Sequence, residues 1–284
     1  MMTQPFSLKA AWGRKPCVLP PGWFDLAPVK TDLVSLEALL RRLPEEKLRV
    51  RITGDGPDSD SPRRIMMRDL SDLQGRLLGG HALHLQATDL HQFDRDFSDA
   101  AQRFRTRIQG EIEELRDPST KFAIGLFLSS GGAVAPFHAD GEHNFLSQIV
   151  GDKKMHMFSP EDLDIFPCTS RELLAAKDLH VLDTYRPEIE SRAEVVHLVP
   201  GTTLYHPPMG PHWVDTGRGS YSLSVTLTFI TPSIDRTLLL HKLNRQLRRI
   251  GLRPAPLGQR PGIDNAKHVL ARVLRRVVRL QRGA

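Results

Sequence analysis

Long apolar runs are missing from this 284-residue chain. No stretch approaches the roughly 18 apolar residues a spanning helix requires, which argues against an integral membrane protein. Cysteine is scarce: Cys17 and Cys168 are the only two. That is too few for a disulfide scaffold or a paired-cysteine zinc module, and a reducing, cytoplasmic setting is expected. The opening residues, MMTQPFSLKAAWGRKP, hold no apolar segment of the kind an export signal needs. Internal repeats are absent too, which excludes a solenoid. With 40% hydrophobic and 25% charged residues, a mainly disordered chain is also excluded.

The net charge of +6 conceals an asymmetry. From Arg236 onward there are 13 Lys/Arg against the single acid Asp264, a charge of +12, whereas the preceding residues carry 26 basic and 32 acidic side chains, or −6. The body is mildly acidic, so any nucleic-acid role would sit in the tail.

The segment WGRKPCVLPPGW reads as an arm with one short strand, and Thr31–Leu40 as a helix on its three-and-four leucine spacing. Leu48–Thr53 alternates as a strand, and Gly54–Arg64 is a polar, turn-rich loop. Helices are expected around Met67–Leu77 and Phe97–Glu114. From Lys121 to Phe229 short strands alternate with Gly, Pro and Asp, interrupted by a helix at Ser170–Asp178. This texture predicts a mainly β sandwich or barrel rather than a parallel sheet. Two helices, Asp235–Ile250 and Asp264–Gln281, follow a proline. In the second, Ala266, Val269, Leu270, Val273, Leu274 and Val277 form an apolar stripe opposite arginines.

The chemistry concentrates in Pro136–Phe145, PFHADGEHNF. In an extended chain residues two apart share a face, so His138 and Asp140 aim at one point. They supply two-thirds of the two-histidine, one-carboxylate set that holds non-haem iron with open positions, and zinc can use the same donors. His212, at the start of a strand after the turn Pro207–Pro211, is the candidate third ligand. A lone HxD is commonplace; followed by PPxGxH it is far more specific. Gly151–Asp152 reads as a hairpin turn, which sets Lys153 on one face with Met155 and Met157. A lysine there is either a solvated turn residue or the anchor of an acidic cosubstrate.

The string His138-x-Asp140-x-x-x-Asn144-Phe145-x-x-Gln148-Ile149-x-Gly151-x-Lys153, with Pro200-Gly201, Tyr205-x-Pro207-Pro208 and His212, resembles the Jumonji-C (cupin-like) Fe(II)/2-oxoglutarate oxygenases. It is most similar to the branch of the asparaginyl hydroxylase called factor inhibiting hypoxia-inducible factor. The resemblance spans roughly residues 120–232, and WGRKPCVL is similar to that family's N-terminal arm.

The resemblance implies a double-stranded β-helix (jelly-roll) core at 120–232, an elaboration over 1–119 and a helical extension over 233–284. It implies Fe(II) on His138, Asp140 and His212, with 2-oxoglutarate and O2 as cosubstrates. It further implies that Lys153 pairs with the distal carboxylate, and that Asn144 and Thr226 lie beside the cosubstrate. Ala135 departs from the family's threonine, and Ser129 or Ser130 is the candidate replacement. Of the other histidines, His206 is expected as a pocket wall, His143 as a possible substrate contact and His197 as a packed strand residue. The implied activity is hydroxylation of a C–H bond in a peptide or protein side chain. A small metabolite, tRNA, or a non-catalytic metal-binding scaffold are the alternatives. The family also implies a homodimer through the C-terminal helices.

Overall fold

The computed structural model describes residues 7–52, 63–80, 82–176 and 184–282. The first part runs α1 (Leu8–Ala11), β1 (Cys17–Val18), α2 (Leu33–Leu40), β2 (Leu48–Ile52), β3 (Arg63–Ile65), α3 (Leu73–Leu78), β4 (Leu83–Ala87) and α4 (Arg95–Glu111). Then come β5 (Lys121–Ser130), β6 (Val134–Ala139), β7 (His143–Val150), β8 (Lys153–Met157), α5 (Cys168–Ala176), β9 (Glu194–Leu198), β10 (Thr203–His206), β11 (Pro211–Thr216) and β12 (Tyr221–Ile230). The chain closes with α6 (Pro232–Arg249) and α7 (Pro261–Arg282).

The strands build two antiparallel sheets, one of eight strands in the order β1-β10-β7-β12-β5-β4-β2-β3 and one of four in the order β6-β11-β8-β9. This is the mainly β jelly-roll expected, with helices before and after it. β2, β3 and β4 extend the large sheet beyond β5, and β1 lies at its other edge.

Alternation divides the large sheet's two faces. Leu223, Val225, Leu227 and Phe229 of β12 enter the main core together with Leu36, Leu40, Phe97 and Phe104 from the helices. Ser222, Ser224, Thr226 and Thr228 therefore look the other way, toward the small sheet. The same parity sends Phe145 to the core and Asn144, Leu146 and Gln148 inward. The helices over the core are started by aspartate caps: Asp32, Asp72 and Asp94 accept from the amides of Ser35, Gly75 and Phe97.

Several local expectations are corrected. Gly151–Asp152 does not close a hairpin, because β7 pairs with β10 and β12 whereas β8 pairs with β11 and β9. The chain crosses here from one sheet to the other. Gly151 has φ of 69°, and a Cβ on it would lie 2.4 Å from the Tyr221 carbonyl oxygen, so the corner needs glycine. The helix expected at Met67–Leu77 is a 3-10 turn at Met67–Asp69 followed by α3, which begins only where Asp72 caps it. α4 stops at Glu111, and Glu113–Arg116 forms a 3-10 turn. Of the loop expected from Gly54 to Arg64, residues 54–62 lie outside the described residues and Arg63–Arg64 belong to β3. Likewise 177–178, expected to end the α5 helix, lie outside them.

Candidate metal centre

Alternation along β6 buries Phe137 and Ala139 against the outer cluster of Phe158, Ile165, Phe166 and Met209. His138 and Asp140 consequently turn to the space between the sheets. β11 lies beside β6 with His212 directly opposite His138. The turn that delivers His212 is Pro207-Pro208-Met209-Gly210, in which Met209 takes φ of 59° and donates its amide to the Asp140 carbonyl at 2.7 Å. A proline second and a left-handed residue third is the type II pattern, here with methionine bearing the strain.

One ligand atom from each of His138, Asp140 and His212 lies within 4.8 Å of the others. The Nδ1 of His138 is 2.7 Å from the Pro136 carbonyl and that of His212 is 3.0 Å from the Gly210 carbonyl. Both rings thus donate through Nδ1 and keep the Nε2 lone pair for a metal, which is how backbone acceptors orient ligating histidines. His212 Nε2 is 3.9 Å from Asp140 Oδ2. Burial, with His138 beside it, lowers the pKa of His212, so the ring is neutral as a ligand must be.

Across the pocket lies the polar face of the large sheet. Asn144 accepts a short hydrogen bond from Thr226 Oγ1. Lys153 is 3% exposed and donates to Ser224 Oγ at 3.0 Å, and Ser224 in turn donates to Gln148 Oε1 at 2.7 Å. Among the described residues no carboxylate offsets its charge, and burial alone pushes its pKa down to about 7. The solvated alternative for Lys153 is overturned. Met155, Met157, Leu146 and Leu204 line the interval between this lysine and the histidines.

The structure adds His84, which the sequence reading passed over. Its Nδ1 is 2.9 Å from Ser129 Oγ, its ring stacks on Phe127 with 5.6 Å between centroids, and the charges of Lys153 and His138 both reach it. The signal was the alternation of LHLQA, which puts His84 and Gln86 on the face opposite the core leucines. Ser129 points into the pocket, whereas Ser130 turns to the Leu83 backbone and so does not replace the missing threonine hydroxyl.

The other histidines divide. His206 is buried beside His212, with ring centroids 4.4 Å apart. His143 does not reach the pocket: it stacks on Trp12 at 3.9 Å and its Nδ1 meets the Tyr205 hydroxyl at 2.8 Å, on the core side of β7. His197 is not packed, because it faces outward on an edge strand, 3.2 Å from Asp152.

Two facing antiparallel sheets with a histidine–aspartate–histidine cluster between them define a cupin-type metal-binding fold. The family model described as the cupin-like domain matches residues 61–230, and the chain belongs to that family. Among curated relatives, Jumonji C domain-containing protein 5 of Drosophila melanogaster is 33% identical over 106 residues, covering 36% of this chain and 26% of that protein. Lysine-specific demethylase 8 of Danio rerio is 34% identical over 106 residues, with the same coverages. The match thus spans about a quarter of the length of these relatives.

Among solved structures, the Escherichia coli ribosomal oxygenase YcfD superposes with a TM-score of 0.55 at 15% identity, covering 96% of this chain and 66% of that one. The same protein in complex with cobalt and 2-oxoglutarate gives a TM-score of 0.53 at 17% identity, covering 88% and 58%. At such identities the likeness is one of fold. These relatives carry Jumonji C and ribosomal-oxygenase names rather than that of the asparaginyl hydroxylase branch. Among the described residues no helix is long and apolar enough to cross a membrane.

Proposed function

We propose that this protein is an Fe(II)- and 2-oxoglutarate-dependent dioxygenase that hydroxylates a C–H bond, its substrate a peptide or protein side chain. Residues 120–232 are the catalytic core in this reading, 1–119 its elaboration, and 233–284 a basic helical extension. The donor set fits iron: two imidazoles with free Nε2 atoms and one carboxylate leave half of an octahedron open. Iron held there supplies, with O2, the oxidation that turns 2-oxoglutarate into succinate and CO2 and hydroxylates the substrate.

The observation that carries the proposal is Lys153, a buried amine with no acid beside it among the described residues, set across the pocket from the triad. Burying a charge unpaired is costly, and a carboxylate ligand removes that cost. Lys153 binds the distal carboxylate, Ser224 orients the ammonium, and Asn144 with Thr226 lines the pocket nearer the metal. The methionines and leucines of the interval keep water out.

Protein substrates are the first choice because the relatives bear the names of a lysine-specific demethylase and a ribosomal oxygenase. A homodimer through α6 and α7, in the cytoplasm, completes the proposal. Succinate release from 2-oxoglutarate by the iron-loaded protein tests it. His138→Ala, Asp140→Ala and His212→Ala are each expected to abolish release with the fold retained. Wild-type release from a His212→Ala protein, or release without iron, would refute the assignment.

A further inference from the structure

His206 has no part in the metal set, yet it is buried directly beside it. On β10 it shares a face with Leu204, which packs among Met155 and Met157 between the sheets. In register it lies opposite Asn144, which lies opposite Thr228, so the three form one row across the polar face at the metal end. The ring is 1% exposed and meets His212 edge to face. Space for it exists only because residue 210 is glycine: a Cβ there would come within 2.8 Å of His206 Nε2 and 2.9 Å of its Cε1.

Among the described residues the Nδ1 of His206 has no hydrogen-bond partner, and of the buried side-chain atoms in that condition it is the one on a ring packed against His212. Buried polar atoms in folded proteins are nearly always paired, and an orphan points to a missing ion, water or ligand. The ring packs against His212, whose own ring faces His138 across the metal set. That contact makes a group bound beside the metal set the natural partner for Nδ1.

We infer that His206 is a positioning residue whose Nδ1 hydrogen-bonds the keto-acid carboxylate of 2-oxoglutarate at the metal, an inference that rests on the proposed function above. The ring donates this bond through its Nδ1–H, from a side chain already buried beside the metal set. Together with Lys153 it holds the cosubstrate at both ends, one contact per carboxylate. The chemical class recognised is a 2-oxo acid rather than a simple dicarboxylate.

The test uses the full chain, without oxygen, loaded with Fe(II) and titrated with 2-oxoglutarate. The readouts are the visible iron-to-keto-acid charge-transfer band and calorimetric affinity. His206→Leu is expected to keep iron affinity, shift the band and weaken 2-oxoglutarate about 10- to 100-fold, the range of a hydrogen bond to a charged group. Asparagine places a nitrogen near the Nδ1 position and glutamine near Nε2, so His206→Asn restores affinity and band while His206→Gln does not.

Where the leucine protein fails to fold, the asparagine and glutamine pair decides alone. An unchanged band and affinity in both His206→Leu and His206→Gln would overturn the inference, as would loss of iron itself, which would make His206 a ligand. A wild-type protein that binds iron but develops no band refutes the 2-oxoglutarate reading instead, and this inference falls with it.

Discussion

Lys153 is the residue on which the chemistry turns, and its burial makes two measurable demands. Lys153→Ala removes a charge-assisted contact worth on the order of 2–4 kcal/mol, so 2-oxoglutarate affinity should fall about 30- to 1000-fold with metal affinity spared. Calorimetry on the metal-loaded protein reads both. The second demand is a pH dependence. Burial holds the empty-pocket ammonium near 7, and a bound carboxylate favours the charged form and raises that value. Below pH 7 the lysine is already protonated; above it, binding must take up a proton, and affinity should weaken by up to about tenfold per pH unit. Equal affinity at pH 6.5 and 8.5 would contradict this.

Much of this site was legible in residues alone. His138 and Asp140 can be paired from residues because a strand's period of two fixes which side chains share a face, whereas for Lys153 the same pattern leaves a solvated turn residue and a buried anchor both open. His84 stayed hidden because its strand, β4, lies outside the motif-bearing stretch. The roles of His143 and His197 were unreadable for another reason: what covers a face depends on Trp12 and Asp152, far away in sequence.

At the scale of elements, the corner at Gly151 shows where local pattern misleads. A Gly-Asp pair between two apolar strands is an ordinary hairpin signal, yet here it changes sheets. Nothing in the pair distinguishes the two outcomes; the strand that receives β8 is β11, where Thr216 lies opposite Lys153 and the Gly217 amide donates to the Asp152 carbonyl at 3.0 Å. The consequence is testable. Gly151→Ala meets both the left-handed backbone and the Tyr221 carbonyl, and should destabilise by about 2–4 kcal/mol in urea unfolding. A change below about 0.5 kcal/mol would mean the corner relaxes freely. Helix ends, by contrast, were misjudged only by a few residues, as at α4 and α6, where capping by Asp94 and Thr231 sets the start.

For the whole molecule, the tail poses the question of assembly. α7 touches α6 through buried Ala271 and through Arg275, which meets Asp235 at 2.8 Å. Its apolar stripe does not pack on its own barrel: Val269, Leu270, Val273, Leu274 and Val277 are 42–65% exposed. Such a continuous face is expected to be covered by a second copy. Ending the chain at Gly262 should convert a dimer into a monomer in sedimentation, with iron binding kept because the triad lies in the barrel. A full-length chain that sediments as a monomer at micromolar concentration would refute the dimer.

Lys153 and Met157 lie four residues apart on one strand, and Met157 sits beside His212 in register. Strand rise makes that interval about 13 Å between backbones. On the proposed function β8 is thus a ruler, with the anion anchor at one mark and the metal at another. Two extra residues in β8 would leave every side chain on its own face and move the anchor about 7 Å, a strain no rotamer of a single lysine erases. On that reading the length of the acid the pocket would accept is written in residue count along one strand, independently of the groups that would grip its ends.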